Sequence, residues 1–171
     1  MKRGTGRKIG FYELLADKLA IAEEYEDPME RGTRLESEAV ERFAKEIGKP
    51  VTNDLVMWVS DIDDSIAYSP DGVISDTELA EIKCLSSARH LQAYFEKEIP
   101  KEYYEQVVQA FIVNEKLETL YFVFYDPRVV SKPIHWITVE RESVEKDIEA
   151  YLEYQKTTLE EINKMVAELV F

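Results

Sequence analysis

The apolar residues in the first third of the chain recur at the spacing of an α-helix. From residue 11 to about residue 25 they lie mostly three or four positions apart, and Pro28 closes the pattern, which predicts one helix. A second helix is predicted after Gly32, and Gly48 followed by Pro50 supplies its stop signal. The apolar face of this second helix consists of Leu35, Ala39, Val40, Phe43 and Ile47.

The period then changes to two, or to short unbroken apolar runs, which predicts β-strands. The predicted strands cover residues 55–59, 66–68, 73–75, 79–84, 120–125 and 134–139. A turn of composition Ser-Pro-Asp-Gly at residues 69–72 leads into the third of them. The run at 120–125 is almost wholly apolar and aromatic, as expected of a strand covered on both faces, and the run at 134–139 resembles it.

Two further helices are predicted, at residues 101–114 and from residue 141 to the end of the chain. This order of elements predicts one domain over residues 1–171, of the α/β class, with a mixed sheet flanked by helices. Residues 1–10 are expected to be flexible, because chain termini are commonly poorly ordered. The apolar stripe of the helix at 141–171 is interpreted first as packing on its own sheet, and second as an oligomer seam or a docking surface.

Composition adds a packed core and a strong negative charge to this picture. Of the 171 residues 45% are hydrophobic, while 35 acidic against 21 basic residues give a formal charge of -14. This charge argues at first against nucleic acid as a partner, since binding to phosphates depends on Lys and Arg. The single cysteine, Cys84, excludes an intramolecular disulfide, and no apolar run reaches the roughly 20 residues of a membrane span. A cytoplasmic protein without membrane contact is expected.

Three charged residues could form a site for chemistry. Asp71 lies in the predicted turn, and Glu81 and Lys83 are two positions apart on the strand that follows. Because side chains alternate across a strand, Glu81 and Lys83 share one face, while Ile82 points into the core. If the hairpin folds Asp71 beside Glu81, two carboxylates and one ammonium converge, which suits Mg²⁺. In a chain with 33% charged residues the same pattern also arises on a solvated strand face, so both interpretations stay open here.

Hydrolysis of a phosphodiester requires these residue types. One or two metal ions can activate water, orient the phosphate and stabilise the entering and leaving oxygens, and carboxylates hold such ions. Lys83 would orient the attacking water, help to deprotonate it, or offset charge in the transition state.

Four segments, in order, resemble one nuclease family. SPDGVISDTELAEIKC, residues 69–84, resembles the active-site strand pair of the lambda-exonuclease or YqaJ-like viral recombinase family of PD-(D/E)xK nucleases. RGTRLESEAV at 31–40, YYEQVVQAFIV at 103–113 and YFVFYDPR at 121–128 resemble its other motifs. The resemblance covers about residues 11–139 and implies a PD-(D/E)xK, restriction-endonuclease-like core.

The resemblance also implies a set of metal ligands. Asp71, Glu81 and the carbonyl of Ile82 would hold one Mg²⁺, for which Mn²⁺ is the expected substitute, and Glu36 with Asp71 would reach a second ion. Gln106 matches the family's glutamine near the metal site.

Two of these assignments have alternatives. Gln109 is the alternative to Gln106. Asp61 coincides with a further family acid, although Asp63 and Asp64 stand close to it in the sequence.

The implied activity is a metal-dependent DNA exonuclease that acts 5′→3′ on linear duplex DNA and leaves 3′ single strands for annealing in phage-type recombination. The implied partners are duplex DNA ends and a single-strand annealing protein, and the implied assembly is a ring-shaped trimer. The host would be a bacterium carrying a phage or prophage. A structure-selective endonuclease or repair nuclease on the same core is the first alternative, and a non-catalytic DNA-binding or assembly module is the second.

The remaining polar candidates are weaker. Thr5, Arg7 and Lys8 could receive the DNA 5′ end, but a solvated terminus is the preferred interpretation, which leaves a preference for a 5′-phosphate open. Arg89 could contact phosphates and is equally well a surface charge, as is Lys132.

Histidine and cysteine add no site to the prediction. His90 and His135 are far apart without ligand spacing, and His135 is predicted to be a packed strand residue. Cys84 is predicted to be a buried thiol that points away from the site with Ile82.

Overall fold

The computed structural model describes residues 7–170 of the chain. Its helices are α1 (Ile9–Leu19), α2 (Pro28–Ile47), α3 (Ser87–Glu96), α4 (Tyr104–Val113, preceded by a 3-10 turn at Lys101–Tyr103) and α5 (Arg141–Leu169). Its strands are β1 (Trp58–Val59), β2 (Ala67–Tyr68), β3 (Gly72–Val73), β4 (Glu78–Lys83), β5 (Thr119–Tyr125) and β6 (Ile134–Glu140).

The central sheet has the strand order β3-β4-β5-β6. Strands β4 and β5 run parallel, with Glu81 opposite Phe122, whereas β3 and β6 pair antiparallel with their neighbours. Strands β1 and β2 form a separate antiparallel pair. The mixed sheet with flanking helices that the sequence predicts is thus confirmed.

Hydrophobic clusters cover both faces of the central sheet. One face packs against α4 and the start of α5, and the other packs against α2 through Leu35, Ala39 and Phe43. A third, smaller cluster joins α1 to α3. As predicted, β5 is buried on both faces, but β6 is more exposed than predicted because it forms the edge of the sheet.

The first two helices differ from the prediction at the segment that separates them. Helix α1 ends at Leu19 rather than near residue 25, and Tyr25 is fully solvated. Helix α2 begins at Pro28, not after Gly32, because the Asp27 side chain accepts the backbone N–H of Met29 at 3.0 Å and proline suits the first helical position.

Several other bounds also differ from the prediction. Helix α1 begins at Ile9, within the stretch expected to be flexible; residues 1–6, including Thr5, lie outside the described part of the chain. The strand predicted at residues 55–59 is only Trp58–Val59, and Leu55 is fully exposed. Strand β3 covers Gly72–Val73 instead of residues 73–75. Helix α3 was not predicted at all.

The long last helix packs on the sheet only through its first half. Val144 and Ile148 are buried, and Leu152 and Leu159 are partly buried against the same cluster. From Glu160 to Val170 every side chain is exposed. None of the helices within residues 7–170 combines the length and apolar character that a bilayer crossing needs.

Candidate active site

The β3–β4 hairpin places Asp71 beside the end of β4. Gly72 pairs with Ala80, and a Cβ at Gly72 would lie 2.8 Å from the Val51 side chain, so the close approach requires glycine. Asp71 immediately precedes the first residue of β3, and the backbone N–H of Ile82 donates to Asp71 Oδ2 at 2.7 Å. A side-chain carboxylate thus takes the place of a strand neighbour at this point of the sheet.

Glu81 lies at the centre of a hydrogen-bonded group on one face of β4. Lys83 Nζ donates to Glu81 Oε1 at 2.7 Å, Gln106 Nε2 donates to the same oxygen, and the Tyr68 hydroxyl donates to Oε2. Ile82 packs on the opposite face, against the α2 cluster. The alternation predicted from the sequence is therefore confirmed, and only 1% of Glu81 is exposed.

Glu36 reaches the same region from α2. It lines a cleft of about 540 Å³ together with Asp71, Ile82, Lys83 and Arg89. Glu36 is half-buried, and Lys83 keeps 20% of its side chain exposed. The cleft is therefore open enough to admit a substrate.

Burial raises the pKa of all three carboxyl groups of the site, and the charge of Asp71 raises the pKa of Glu81 and Glu36 further. Burial, and then the charge of Asp71, raises the pKa of Glu81 to about 7 against the opposing effect of Lys83. Burial raises the pKa of Asp71 although the Ile82 N–H and Lys83 act against it. Burial and the charge of Asp71 raise the pKa of Glu36. A cation at this point would relieve the mutual repulsion.

These residues fit a hard divalent cation. Within residues 7–170 no three acidic, histidine or cysteine side chains already surround one point, and Glu81 accepts hydrogen bonds from Tyr68 and Lys83. Mg²⁺ does not require three such side chains, because it is commonly bound by one or two carboxylates and retains several water ligands. The N–H and C=O of a strand residue point to the same side, so the Ile82 carbonyl points toward Asp71. Asp71, Glu81 and this carbonyl are hard oxygen donors.

Comparison with known proteins identifies the family of the chain and proteins of similar fold. The family model of the YqaJ-like viral recombinase domain matches residues 7–117. The chain belongs to this family. Among solved structures, the alkaline exonuclease LHK-Exo from Laribacter hongkongensis is 26% identical, with a TM-score of 0.65 over 99% of this chain and 90% of that one. Its complex with dAMP is also 26% identical, with a TM-score of 0.64 over 94% and 86% of the two chains. A comparison with curated proteins gives no match.

The family resemblance inferred from the four sequence motifs is thus confirmed, and the YqaJ-like chain shares the fold of that exonuclease. Membership of the family supports its assignment as a nuclease hydrolase.

The structure distinguishes between the two candidate glutamines of α4. Gln106 donates to Glu81, whereas Gln109 donates to the Ala67 carbonyl at 3.2 Å and accepts from Gln155 at 2.7 Å. Gln109 is therefore part of the packing between α4 and α5.

Asp61 is not brought to the site. It is exposed and lines a different cleft, next to Asp76 and Lys116. This cleft also contains Val73 of β3, so Asp61 lies near the central sheet but not at the end of β4 that carries Glu81 and Lys83.

Only one of the three candidate DNA-contact residues lines the cleft. Arg89 lines the cleft, where it pairs with Glu102 and lies 6.0 Å from the Tyr103 ring. Arg7 lies over the Phe11 ring at 4.7 Å, and Lys8 immediately precedes α1. Of these three, Arg89 is the one in the cleft.

The two histidines lie outside the carboxylate group. The rings of His90 and His135 are buried and meet with centroids 4.5 Å apart, a contact that their sequence separation did not suggest. His135 is a packed strand residue, as predicted. Cys84 packs against the α2 cluster with Ile82, as predicted, but it also lines the cleft that holds Glu36 and Asp71. Cys84 is half-buried, and burial raises its pKa to about 11, so it remains a thiol at neutral pH.

Two tyrosines at the site were not predicted. Tyr68 donates to Glu81, and the Tyr103 ring lies 5.0 Å from Lys83 Nζ. Tyr68 belongs to the β1–β2 pair, and no periodicity shows that this pair meets β4. For Tyr103 the only signal was its place at the start of the motif at residues 103–113.

Proposed function

We propose that this YqaJ-like chain is a metal-dependent exonuclease that removes nucleotides from the ends of linear duplex DNA. The observation that carries the proposal is the meeting of Asp71, Glu81 and Lys83 at the end of the β3–β4 hairpin, with Glu36 in the same cleft. The 26% identical structure that shares the fold is described as an alkaline exonuclease, which supports the same chemistry.

Each residue has a defined role in this proposal. Asp71, Glu81 and the Ile82 carbonyl would hold one Mg²⁺ or Mn²⁺, and Glu36 with Asp71 would hold a second. A divalent ion bound there lowers the pKa of water and offsets charge on the phosphate oxygens. Lys83 extends from the buried Glu81 toward the open cleft, where it orients the attacking water and offsets negative charge.

Gln106 supports this arrangement from α4. Its amide donates to the same Glu81 oxygen as Lys83, so it holds the carboxylate in one orientation. Gln106 is in this way a positioning residue for a proposed metal ligand.

Part of the negative charge of the chain lies in the last helix, away from the cleft, whereas the acidic stretch at residues 23–30 borders the cleft through Pro28 and Met29. Residues 142–171 hold eight acids and three lysines, and residues 23–30 hold five acids and no base. We expect DNA binding to be metal-dependent, sensitive to salt and weak for one subunit.

By family resemblance we extend the proposal to direction and assembly. The exonuclease would act 5′→3′ and leave 3′ single strands for an annealing protein, as a phage or prophage protein in the bacterial cytoplasm. Three copies would form a ring around the DNA and bring their few basic residues to one channel.

One assay tests both activity and direction. Linear duplexes labelled separately at the 5′ and the 3′ end, with and without a terminal phosphate, are incubated with Mg²⁺. We expect early release of the 5′ label while the 3′ label stays in long fragments. Release of the 3′ label first would contradict the direction.

Two substitutions test the site in the same assay. Lys83→Ala and Asp71→Ala are expected to abolish cleavage while the protein stays folded. Lys49→Ala is the matched control, because this exposed lysine pairs with Glu78 at the other end of β4. Wild-type turnover in Lys83→Ala would refute the assignment.

The alternatives give different results. A structure-selective endonuclease would cut circular duplexes, whereas the exonuclease leaves them intact. A non-catalytic module would not bind Mg²⁺ or Mn²⁺ in a calorimetric titration. The presence of the full set Asp71, Glu81, Lys83 and Glu36 favours the exonuclease.

A further inference from the structure

A buried polar cluster lies behind the cleft and makes no contact with the carboxylates of the site. Its centre is Asp126, which follows β5 and is 0% exposed. The Asp126 carboxylate accepts hydrogen bonds from Arg31 of α2 at 2.9 Å, from Arg128 of the same loop at 2.8 Å and from Ser87 of α3 at 2.6 Å. One carboxylate therefore joins elements that are far apart in the sequence.

The two arginines connect Asp126 to the residues directly after Lys83. Arg31 Nη1 donates to the carbonyls of Cys84 and Leu85, both at 3.2 Å, and Arg128 Nη2 donates to the Leu85 carbonyl at 3.4 Å. Cys84 and Leu85 have no place in a strand or helix, since β4 ends at Lys83 and α3 begins at Ser87. The hydrogen bonds from Arg31 and Arg128 therefore hold Cys84 and Leu85, which no strand or helix holds.

Arg31 also fixes the helix that carries Glu36. It occupies the same buried face of α2 as Leu35, one turn away, and only 6% of it is exposed. The Asp126 carboxylate thus links the two elements that supply Lys83 and Glu36 to the cleft.

Both arginines are used inside the protein, despite their position next to a proposed DNA cleft. Burial acts to raise the pKa of Asp126, but the hydrogen bonds from Arg128 and Ser87 outweigh it and lower the pKa. The carboxylate is therefore ionised at neutral pH, and it balances charge that would otherwise be buried unpaired.

We propose that Asp126 is a positioning residue for the nuclease site: through Arg31 and Arg128 it fixes the end of β4 and the adjacent turn of α2, and so sets the position of Lys83 relative to Glu36. This inference rests on the proposed function. It differs from a purely structural role because it predicts a loss of turnover in protein that is still folded.

The test compares Asp126→Asn with Val129→Ala. Val129 lies three residues further along, is 0% exposed and packs in the apolar α1–α3 cluster, so its truncation loosens the same loop without touching the polar cluster. Both variants are assayed well below their measured unfolding temperatures. We expect Asp126→Asn to lower kcat about 10- to 100-fold with KM for DNA changed less than about threefold. We expect Val129→Ala to keep kcat near the wild-type value.

Arg31→Lys keeps a positive charge opposite Asp126. The lysine ammonium lacks the planar guanidinium group that binds Asp126 and the carbonyls of Cys84 and Leu85 together. The kcat of Arg31→Lys should fall in the same direction, and the double variant Arg31→Lys, Asp126→Asn should lose little more than Asp126→Asn alone. Should Asp126→Asn not fold, Arg31→Lys decides the question. Wild-type kcat in folded Asp126→Asn, or in Arg31→Lys, would overturn the proposal, as would an equal loss in Val129→Ala.

A second measurement does not depend on activity. Amide hydrogen exchange should accelerate at least about tenfold in Asp126→Asn, and remain near wild type in Val129→Ala, at the two hydrogen-bonded amides that flank the segment Cys84–Ser87. These amides are Ile82, whose N–H donates to Asp71 Oδ2, and His90, whose N–H donates to the Ser86 carbonyl. Unchanged exchange at these two amides would overturn the proposal. An inactive wild-type protein would instead contradict the proposed function, while the exchange data would still show whether Asp126 holds the segment.

Discussion

Strand β4 carries two glutamates, three residues apart, that have the same kinds of hydrogen-bond partner but pKa values shifted in opposite directions. Glu81 binds Lys83 and the Tyr68 hydroxyl, and Glu78 binds Lys49 and the Tyr121 hydroxyl. Burial and Asp71 raise the pKa of Glu81 to about 7, whereas the hydrogen bond from Lys49 lowers the pKa of Glu78.

The difference comes from the surroundings rather than from the ion pair itself. Glu81 is 1% exposed and faces a second carboxylate, while 23% of the Glu78 side chain is exposed to water. A Glu–Lys–Tyr group at a solvated strand end is an ordinary surface contact. The same group becomes a candidate metal ligand when it is buried beside another acid.

The largest expected contrast is in turnover. Glu81→Gln should lower kcat about 1,000-fold or more, because the amide cannot replace a carboxylate ligand of a divalent ion. Glu78→Gln should stay within about twofold of wild type. The measurement is the rate of nucleotide release from linear duplex DNA in Mg²⁺. Equal losses in both variants would show that the two sites do not differ in function.

The tyrosines give a smaller contrast of the same kind. Tyr68→Phe removes the donor to Glu81 Oε2 and should lower kcat about tenfold, since the carboxylate loses one of the bonds that orient it. Tyr121→Phe removes the donor to Glu78 Oε1 at 3.0 Å and should leave kcat unchanged. Both are measured in the assay used for the glutamates. A wild-type rate in Tyr68→Phe would remove this tyrosine from the site.

The pH dependence of stability should have opposite sign at the two glutamates in metal-free buffer. The pKa of Glu81 in the folded protein is about 7, above the ordinary value of about 4.5 for a glutamate in the unfolded chain, so the free energy of unfolding should fall as pH rises from 4.5 to about 7. This difference corresponds to at most about 3 kcal/mol, and Glu81→Gln should remove it. The measurement is the free energy of unfolding by denaturant between pH 4 and 8. An unchanged pH profile in Glu81→Gln would contradict the burial argument.

The smallest expected effect is at Glu78 alone. Its lowered pKa means that its contribution is present above the unfolded pKa and is lost as pH falls through the folded one. Because the pair with Lys49 is partly solvated, Glu78→Gln should shift the unfolding temperature at pH 7 by less than about 3 °C. Added salt should reduce this shift further. A larger shift would show that the outer end of β4 matters more for stability than its exposure suggests.

The parts of the site that were predictable are those set by local spacing. Strand alternation placed Glu81 and Lys83 together and Ile82 on the other face. Helical spacing located α4, and the family resemblance selected Gln106 on it. The residues that were missed depend on contacts between distant elements. Tyr68 reaches Glu81 from a different sheet, and Asp126 meets Arg31 from 95 positions away.

The fold was predictable to a similar degree, for a related reason. Long periodic segments such as α4, α5 and β5 were found, because burial on one or both faces leaves a clear pattern. Helix α3 has only ten residues between a strand and a loop, which is too short for periodicity to stand out. The start of α2 depended on one capping side chain, Asp27, whose signal was hidden in a run of acids.

Just before β3 begins, Asp71 completes the edge of the sheet by accepting the Ile82 N–H. An unpaired strand edge is a template for addition of a strand from another molecule, and charged groups placed against it prevent this. The carboxylate proposed to bind metal therefore also protects the protein from edge-to-edge aggregation. We therefore expect a chain that lost this acid to be more prone to self-association, in addition to the loss of activity that the proposed function predicts.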